Sequence, residues 1–313
     1  MQHDFHQLVW NDRLAEDCRR LIRLGIQEDL GREHDWTTVA LVGPDSIGQA
    51  AIVSRQAGTI AGLPVARCVL QEMDPHVQFQ MAVNDGDFVS AGQTVATMSG
   101  SARTLLTAER LLLNFLGHLS GVATLTQRYV AAVQATAARI YDTRKTTPGY
   151  RLLEKYAVHC GGGHNHRTGL YDAILIKDNH LAFGAESPGQ TFFSPADAVL
   201  AARQFVAETL PPDRRARFIF EIEVDSLAQL EQVLPVGPDI VLLDNMPPNL
   251  LRTAVVMRDA EAPGTELEAS GGVNLSTVTE IAQAGVDRIS VGGLTHSALF
   301  DVGLDWLPGA KPA

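Results

Sequence analysis

The sequence lacks any long uninterrupted apolar run. Its most apolar long stretch, residues 111–125, contains Asn114, His118 and Ser120 and is too short to cross a lipid bilayer. The first ten residues include Asp4 and have no apolar core of the kind that signal peptides carry. We therefore expect no secretory signal and no membrane span, and we predict a cytoplasmic protein.

Cysteine is scarce, since only Cys18, Cys68 and Cys160 occur and no two of them form a Cys-x-x-Cys pair. An odd number of scattered thiols indicates a reducing compartment and argues against disulfides or a metal cluster. Lysine is absent before Lys145. This absence excludes a biotinyl or lipoyl carrier domain at residues 84–93, where the Gly-rich pattern otherwise resembles one. A structural hairpin is predicted there instead.

Net positive charge is also lacking, because the formal charge of the chain is −11. An acidic protein of this kind is an unsuitable partner for nucleic acid. Residues 139–180 nevertheless hold seven Lys or Arg against four Asp or Glu, which gives +3 there and −14 elsewhere. This concentration of cations favours an anionic ligand, although a solvated basic surface would give the same composition.

The 313 residues, 45% of them hydrophobic, are enough for one large domain or for a barrel with a smaller companion. In the first third, helical spacing of apolar residues predicts a helix at 12–30, and short runs predict strands at 49–55, 77–83 and 94–98. Two further helices are predicted at 107–119 and 122–138. This part of the chain is expected to form an α+β domain.

From Arg139 onward, short β-branched or apolar runs alternate with helical segments, a pattern that predicts a parallel sheet. Polar residues follow most of these runs, as the carboxyl ends of barrel strands require. Only six strands are readable, so we predict an incomplete β/α barrel. The six runs are 139–141, 173–176, 218–224, 240–243, 267–269 and 288–291.

Cationic side chains follow the first two predicted barrel strands. Asp142-Thr143-Arg144-Lys145 leaves the first strand, and Lys177 follows the second. Between them, Gly161-Gly162-Gly163 precedes His166 and Arg167, and three glycines suit a backbone that passes close to a ligand or adopts positive φ. Arg and Lys can bind carboxylates and phosphates. Alternatively, Arg144 and Lys145 could be ordinary surface charges, and the glycine run could be a flexible surface loop whose histidines form at most a weak zinc site. Lys177 could instead form a Schiff base.

Two acids and two glycine loops complete the predicted barrel mouth. Glu223 and Asp244 close two further strands and could hold Mg²⁺ or ribose hydroxyls, or could instead form buried salt bridges. Ser270-Gly271-Gly272 and Val291-Gly292-Gly293 end the last two strands, where β/α barrels commonly bind phosphate through backbone N–H groups. These groups together would suit a dianionic acid and a sugar phosphate.

The same residues resemble the central signature of the quinolinate phosphoribosyltransferase family. The resemblance spans most of the chain, although residues 31–38 depart from the usual Gly-x-Gly-Asp-(Ile/Trp)-Thr form. The matching segments are 28–31, 109–110, 113–116, 120–124, 142–150, 153–158, 161–170, 174–180, 221–224, 243–245, 268–272 and 289–297.

The resemblance implies a homodimer of two-domain subunits: an N-terminal α/β sandwich at 1–118, joined by the tail at about 298–313, and an incomplete barrel at 119–297. It implies that Arg144, Lys145, His166, Arg167 and Lys177 bind quinolinate carboxylates and nearby phosphates, with Thr143 beside them. Arg110 would enter from the partner subunit. Glu223 and Asp244 would meet the ribose and the Mg²⁺-bound diphosphate of phosphoribosyl diphosphate, and the glycine loops would hold the 5-phosphate. Catalytic roles would fall to Lys145, Lys177, Glu223 and Asp244.

The activity implied is the transfer of a phosphoribosyl group to quinolinate with loss of CO₂, giving nicotinate mononucleotide for NAD biosynthesis. Two alternatives stay open at this point. A Schiff-base lyase would use Lys177 as its nucleophile. A non-catalytic, transport-associated paralogue of the same fold would bind a ligand without turnover.

Overall fold

The computed structural model describes residues 4–184, 193–296 and 299–307. Residues 297, 298 and 308–313, which carry part of the predicted domain limits, lie outside the described residues. The chain divides into two compact units. The sheet unit comprises residues 7–127, 146–162 and 294–313, and the barrel unit comprises residues 1–6, 128–145 and 163–293.

Helices and strands alternate through most of the described chain. The helices are α1 (Asp12–Leu30), α2 (Trp36–Leu41), α3 (Leu63–Met73), α4 (Ala102–Val133), α5 (Arg151–Cys160), α6 (Asp178–Phe183), α7 (Pro195–Thr209), α8 (Pro212–Arg215), α9 (Leu227–Val233), α10 (Pro248–Glu261) and α11 (Val278–Gln283). The strands are β1 (Ile47–Ser54), β2 (Gly58–Thr59), β3 (Gln78–Met81), β4 (Phe88–Val89), β5 (Thr94–Ser101), β6 (Arg139–Tyr141), β7 (Ile174–Ile176), β8 (Phe220–Val224), β9 (Ile240–Asp244), β10 (Glu266–Ser270), β11 (Arg288–Ser290) and β12 (Val302–Trp306).

The sheet unit contains an antiparallel sheet in the order β12-β1-β5-β3. Helix α1 has the predicted bounds because Asn11 caps its first turn, its side chain accepting from the Leu14 N–H, and Gly31 (φ 59°) ends it. Its apolar face, including Cys18 and Ile22, is buried. All three cysteines are free, and burial raises the pKa of Cys18 and of Cys160 to about 12.

The predicted hairpin around residues 84–93 is part of a longer connection. Strands β3 and β5 pair antiparallel, from Gln78 with Ser99 to Met81 with Ala96. Within the connection, β4 pairs instead with β2. The Asp85 carboxylate accepts from the N–H groups of Gly62 and Leu63 at 2.7 and 3.0 Å, so it caps the start of α3.

The prediction of two helices at 107–119 and 122–138 is wrong, because α4 runs unbroken from Ala102 to Val133. Ser120, which lies between the two predicted helices, is buried and exchanges hydrogen bonds with the backbone N–H and C=O of Ala61 at 3.0 and 3.1 Å. Its hydroxyl therefore serves tertiary packing and does not compete with the helix backbone. The division between the two units, and the domain boundary predicted at 118–119, both fall inside α4.

The barrel unit contains six parallel strands among its described residues, in the order β6-β11-β10-β9-β8-β7. All six were predicted, within about two residues at each end. The described residues show no pairing between β6 and β7, so the barrel is incomplete, as expected. Across the described chain, no helix has both the length and the apolar character that a membrane span requires.

Candidate active site

Asp142 organises the loop that fills the open side of the barrel. It follows β6 directly, is fully buried, and accepts from the Asn165 side chain and the His166 N–H, each at 2.8 Å. Tyr141 also forms a parallel bridge with His164, whose N–H donates to the Ile140 carbonyl at 2.8 Å. These bonds fix the segment carrying His166 and Arg167 against the edge of β6. Two separate cationic segments are thereby brought together.

Arg144 and Arg167 are close enough to influence each other. Burial lowers the pKa of Arg167; the charge of Glu221 opposes this effect in part, and the charge of Arg144 adds to it. Arg167 is 7% exposed, and its Nη1 donates to the Ala173 carbonyl, the residue before β7, at 3.2 Å. A buried guanidinium beside a second one is an unfavourable arrangement unless an anion compensates it. Arg144 and Arg167 therefore lie near each other, and their convergence with Lys145 and Lys177 on one anionic ligand stays a prediction.

His166 lies in the barrel interior rather than at an exposed ligand surface. Its ring is 5% exposed, and its Nδ1 accepts from the N–H of Arg167 at 2.8 Å. Its proton must then sit on Nε2, which lies 3.0 Å from Glu221 Oε2 and 3.7 Å from Glu268 Oε1. Both ring nitrogens face protein groups, so direct contact of His166 with substrate stays a prediction.

The group His166, Glu221 and Glu268 has ligand atoms within 4.8 Å of one another. A histidine that binds a metal through one nitrogen carries a proton on the other. A backbone N–H can only donate, so Nδ1 is occupied as an acceptor and the ring proton is on Nε2, the nitrogen that faces the two carboxylates. The group therefore does not suit a metal ion. Burial, followed by the neighbouring carboxylate of Glu221, raises the pKa of Glu268, so this carboxyl holds a proton more readily than usual.

Lys177 and Glu223 form an ion pair at the carboxyl ends of β7 and β8. The lysine side chain is 41% exposed and the glutamate side chain 16%. Glu223 thus forms a salt bridge, as the alternative for the two acids stated, but the bridge is partly exposed rather than buried. A Schiff-base nucleophile needs its amine free to attack a carbonyl carbon, whereas the side-chain nitrogen of Lys177 is engaged by Glu223. This pairing disfavours the lyase interpretation.

Asp244 ends β9, and its Oδ2 accepts from the side chain of Asn245 at 2.8 Å. Asn245 has φ 54°, the one positive φ of a non-glycine residue in the described ranges. A Cβ placed on Gly271 would lie 3.0 Å from the Asn245 nitrogen, so the two loops touch closely. Such strained residues cluster at functional sites. Asn245 was not among the predicted site residues, and its position directly after the strand-ending Asp244 was the available signal.

The two glycine loops, 270–272 and 291–293, were predicted to bind phosphate through their backbone N–H groups, and the structure differs from this prediction in detail. Gly271 and Gly272 have φ of 91° and 62°, conformations that favour glycine. A Cβ on Gly292 would lie 2.8 Å from Cδ of Lys145, so the Lys145 stem crosses this loop. Val291 was predicted to contribute, but its N–H donates to the Tyr141 carbonyl at 2.9 Å within the sheet. Ser270 ends β10, and Gly293 has open space around it.

Gly161 and Gly162 serve the fold rather than a ligand. A Cβ on Gly161 would lie 2.7 Å from Cβ of Thr126 on α4, and Gly162 has φ 82° at the end of α5. The glycine run was predicted either to pass close to a ligand or to adopt positive φ, and the second reason is correct for Gly162. Thr143 accepts from the Lys145 N–H through its Oγ1 at 2.9 Å, which shapes the loop after β6.

Arg110 belongs to the sheet unit, where it is exposed on α4. The other predicted site residues belong to the barrel unit. A mostly apolar cavity of about 390 Å³ also lies beside β7, lined by Arg167, His180 and residues of α7. Its apolar lining is unsuited to a dicarboxylate.

Beneath the mouth, the barrel interior contains buried charges. Arg288 is fully buried, with Nη1 2.8 Å from Glu266 Oε2 and Nε 3.1 Å from Glu268 Oε2. Its guanidinium carbon lies 3.6 Å from the centre of the Tyr141 ring. Burial by itself would lower the pKa of Arg288, but the neighbouring groups, led by Glu268, outweigh this effect and raise it. Buried charges of this kind persist only when paired.

The fold and these side chains define an incomplete β/α-barrel protein whose strand ends present cations, acids and glycine loops. Two family models match the chain: the quinolinate phosphoribosyl transferase N-terminal domain over residues 35–120 and the C-terminal domain over residues 122–305. The chain therefore belongs to the quinolinate phosphoribosyltransferase family.

Curated relatives and solved structures agree with this assignment. The chain is 44% identical over 300 residues to the nicotinate-nucleotide pyrophosphorylase [carboxylating] of Mycobacterium leprae, covering 93% of this chain and all of that one. A probable enzyme of the same name from Bacillus subtilis is 36% identical, covering 92% of each chain. The structure of the nicotinate-nucleotide pyrophosphorylase from Francisella tularensis superposes with a TM-score of 0.86 at 32% identity, covering 97% of this chain and 100% of that one.

Proposed function

We propose that the protein transfers the phosphoribosyl group of phosphoribosyl diphosphate to quinolinate and releases CO₂, forming nicotinate mononucleotide and diphosphate for de novo NAD biosynthesis. The observation that carries this proposal is the cationic character of the predicted site: the charges of Arg144 and Arg167 act on each other, and Lys177 pairs with Glu223 at the carboxyl ends of β7 and β8. Quinolinate carries two adjacent carboxylates, and paired guanidinium groups bind such anions strongly. Full-length similarity to enzymes with this name supports it further.

Quinolinate binding requires that the Arg144, Arg167 and Lys177 charges face its two carboxylates. Arg167 is held by its own contacts, so little side-chain entropy is lost when it binds. Lys177 would exchange part of its pairing with Glu223 for the substrate carboxylate. Glu223 would then be free to accept a ribose hydroxyl.

The first chemical step forms a bond between the quinolinate nitrogen and the ribose C1. The bond from C1 to the diphosphate oxygen breaks, and diphosphate leaves with its electron pair. Glu223 and Asp244 would bind the ribose and the diphosphate end of phosphoribosyl diphosphate, and Mg²⁺ bound with that substrate would supply positive charge to the leaving group. Lys145, whose stem crosses Gly292, is well situated for the phosphate charge, while the loops at Gly271 and Gly292 would hold the 5-phosphate.

The second step breaks the bond between the ring C2 and its carboxylate. CO₂ leaves, and the electron pair stays on C2, next to the positively charged ring nitrogen that stabilises it. C2 then takes up a proton. The protein cations hold the departing carboxylate in position, and a closed site would reduce its hydration.

The active enzyme would be a cytoplasmic homodimer in which Arg110 reaches the site of the partner subunit. Its exposure on α4 makes Arg110 available for such a contact. A guanidinium from a second subunit would supply another donor for a substrate carboxylate.

The deciding experiment is a coupled assay of diphosphate release with quinolinate, nicotinate and nicotinamide in parallel, each with phosphoribosyl diphosphate and Mg²⁺. Turnover is expected with quinolinate, with equimolar CO₂. Turnover of nicotinate equal to or better than that of quinolinate would refute the substrate assignment. Binding of quinolinate without turnover would instead identify a non-catalytic paralogue.

A further inference from the structure

A short segment ahead of the sheet unit is built into the barrel unit. Residues 4–6 belong to the barrel unit, whereas the following 121 residues, 7–127, belong to the sheet unit. The family models match residues 35–120 and 122–305, so the first residues lie outside both matches. Asp4 and Phe5 are described, and we call these two residues the N-terminal plug.

Asp4 fastens the plug to two neighbouring strands. Its Oδ2 accepts from Nη1 of Arg139 at 3.2 Å and from the hydroxyl of Tyr141 at 2.9 Å. Its Oδ1 lies 3.1 Å from Nη1 of Arg288. Arg139 and Arg288 are the first residues of β6 and β11. A single carboxylate thus joins the amino-terminal ends of two strands on one side of the opening.

Phe5 occupies the other side of the opening. Its ring is 5% exposed and packs with Ala173, Ile219 and Ile240. These residues lie at or immediately before the starts of β7, β8 and β9. The plug therefore spans the amino-terminal side of the gap that strand pairing leaves between β6 and β7.

The plug also touches the loop that carries the site cations. The Phe5 ring stacks on the His166 ring, with centroids 4.4 Å apart and planes at 30°. His166 in turn accepts the N–H of Arg167 through Nδ1 and faces Glu221 through Nε2. Stacking fixes the plane of the imidazole, and the plane decides whether Nδ1 can accept that N–H. Phe5 is thus two contacts away from the backbone N–H of Arg167.

We propose that Asp4 and Phe5 are positioning residues that hold His166, and through it Arg167, in the arrangement that binds the dicarboxylate substrate. This inference rests on the proposed function, which gives Arg167 its ligand. Neither residue contacts the reacting atoms. Asp4 anchors the plug to β6 and β11, and Phe5 supports the imidazole of His166 by stacking on one face of its ring.

The test compares Phe5→Ala, Phe5→Leu and wild type in steady-state kinetics with each substrate varied. Loss of the ring leaves the imidazole free to tilt, and misplacement of a site group by about 1 Å is enough for a loss of roughly tenfold or more. We expect the KM for quinolinate to rise about tenfold in Phe5→Ala, while the KM for phosphoribosyl diphosphate stays within about twofold. Phe5→Leu keeps apolar volume but has no aromatic ring to stack on His166, so its KM for quinolinate is expected to lie between those of wild type and Phe5→Ala. It also provides the test if Phe5→Ala does not fold.

Val233→Ala is the matched control for stability. Val233 is fully buried in α9 of the same unit and belongs to no part of the described site. Its truncation destabilises the barrel unit without touching the plug. A selective rise in the quinolinate KM for the Phe5 variants, absent in Val233→Ala, supports the proposal. Equal changes in both substrates, or lower thermal stability with unchanged KM values, would overturn it.

A second readout does not depend on turnover. In ¹⁵N-histidine NMR spectra, the His166 signal is assigned by its absence in His166→Gln. Wild type is expected to show Nδ1 unprotonated, and Phe5→Ala a mixture of tautomers. An unchanged tautomer in Phe5→Ala would refute the link from Phe5 to His166, even with altered kinetics. If wild type fails to turn over quinolinate, the proposed function fails, and this spectrum still decides the positioning role.

Discussion

The ammonium of Lys177 is ion-paired with the carboxylate of Glu223 across the ends of two adjacent strands, β7 and β8. The pair is partly exposed, so its strength as a stabilising contact is small, and pairs of this kind contribute on the order of 1 kcal/mol or less. Its significance is instead functional. A substrate carboxylate can replace Glu223 as the partner of Lys177 with little loss of charge compensation.

Lys177→Ala is expected to lower kcat/KM for quinolinate by roughly 10²–10³-fold, because a charge-bearing donor at the reacting carboxylate is removed. Arg144→Ala is expected to behave in the same way. Circular dichroism should be unchanged, since side chains at strand ends contribute little packing. Arg252→Ala, an exposed arginine on α10, is the control and should retain wild-type activity. Loss of secondary structure in the Lys177 variant would contradict the assignment and favour a purely structural role.

Gly292→Ala is expected to impair turnover because the new methyl group would lie 2.8 Å from Cδ of Lys145. The lysine must move, and its ammonium leaves the position proposed for phosphate binding. We expect the KM for phosphoribosyl diphosphate to rise by about tenfold, as for a misplaced site group. Gly264→Ala, in a loop with nothing within 4 Å of the added atom, is the control. Normal kinetics of Gly292→Ala would show that Lys145 is not needed at this loop.

Asn245→Ala is expected to destabilise the protein by about 1–2 kcal/mol, because alanine tolerates the left-handed φ of 54° poorly. Asn245→Gly should cost less, since glycine adopts this conformation readily. Denaturant unfolding of the barrel unit measures both variants. If the glycine variant is as unstable as the alanine variant, the hydrogen bond to Asp244, and not the backbone conformation, is the main contribution of Asn245.

Asp4 should make stability depend on acid pH. Burial alone would raise its pKa, but the charge of Arg288, the Tyr141 hydroxyl and Arg139 outweigh this and lower it. The stabilisation from Asp4 is therefore fully present above its unfolded pKa of about 3.9 and is lost as pH falls through the lower folded value. The difference in unfolding free energy between wild type and Asp4→Asn should be constant near neutral pH and shrink below about pH 4. A difference that grows on acidification would contradict this sign.

The proposed homodimer, in which Arg110 reaches the site of the partner subunit, predicts complementation. Arg110→Ala and Lys145→Ala should each be inactive alone, and mixed dimers should regain part of the activity because one of their two sites receives both wild-type residues. Activity after co-refolding of the two variants measures this. No recovery in mixed dimers whose formation is verified by differential tags would argue for self-contained subunits.

Periodicity and strand-end chemistry were sufficient to predict the six barrel strands and the cationic loops at their ends. Local patterns could not predict that α4 continues through Ser120, because the partner of that hydroxyl is Ala61, distant in sequence. The inward orientation of His166 was equally hidden. Its neighbours Glu221, Glu268 and Phe5 come from three remote segments, and only the folded chain brings them together. The role of Gly161 likewise depends on Thr126 of another helix.

The charged interior around Arg288 has an evolutionary consequence. Arg288 is shared by Glu266, Glu268 and Asp4, so replacing any one member leaves the others as uncompensated charges inside the barrel. Changes at these positions should show strong epistasis: each is harmful alone and tolerated only with a matching change elsewhere in the set. We therefore expect these four residues to be kept or replaced together during evolution, whereas residues on exposed helix faces can change independently of one another.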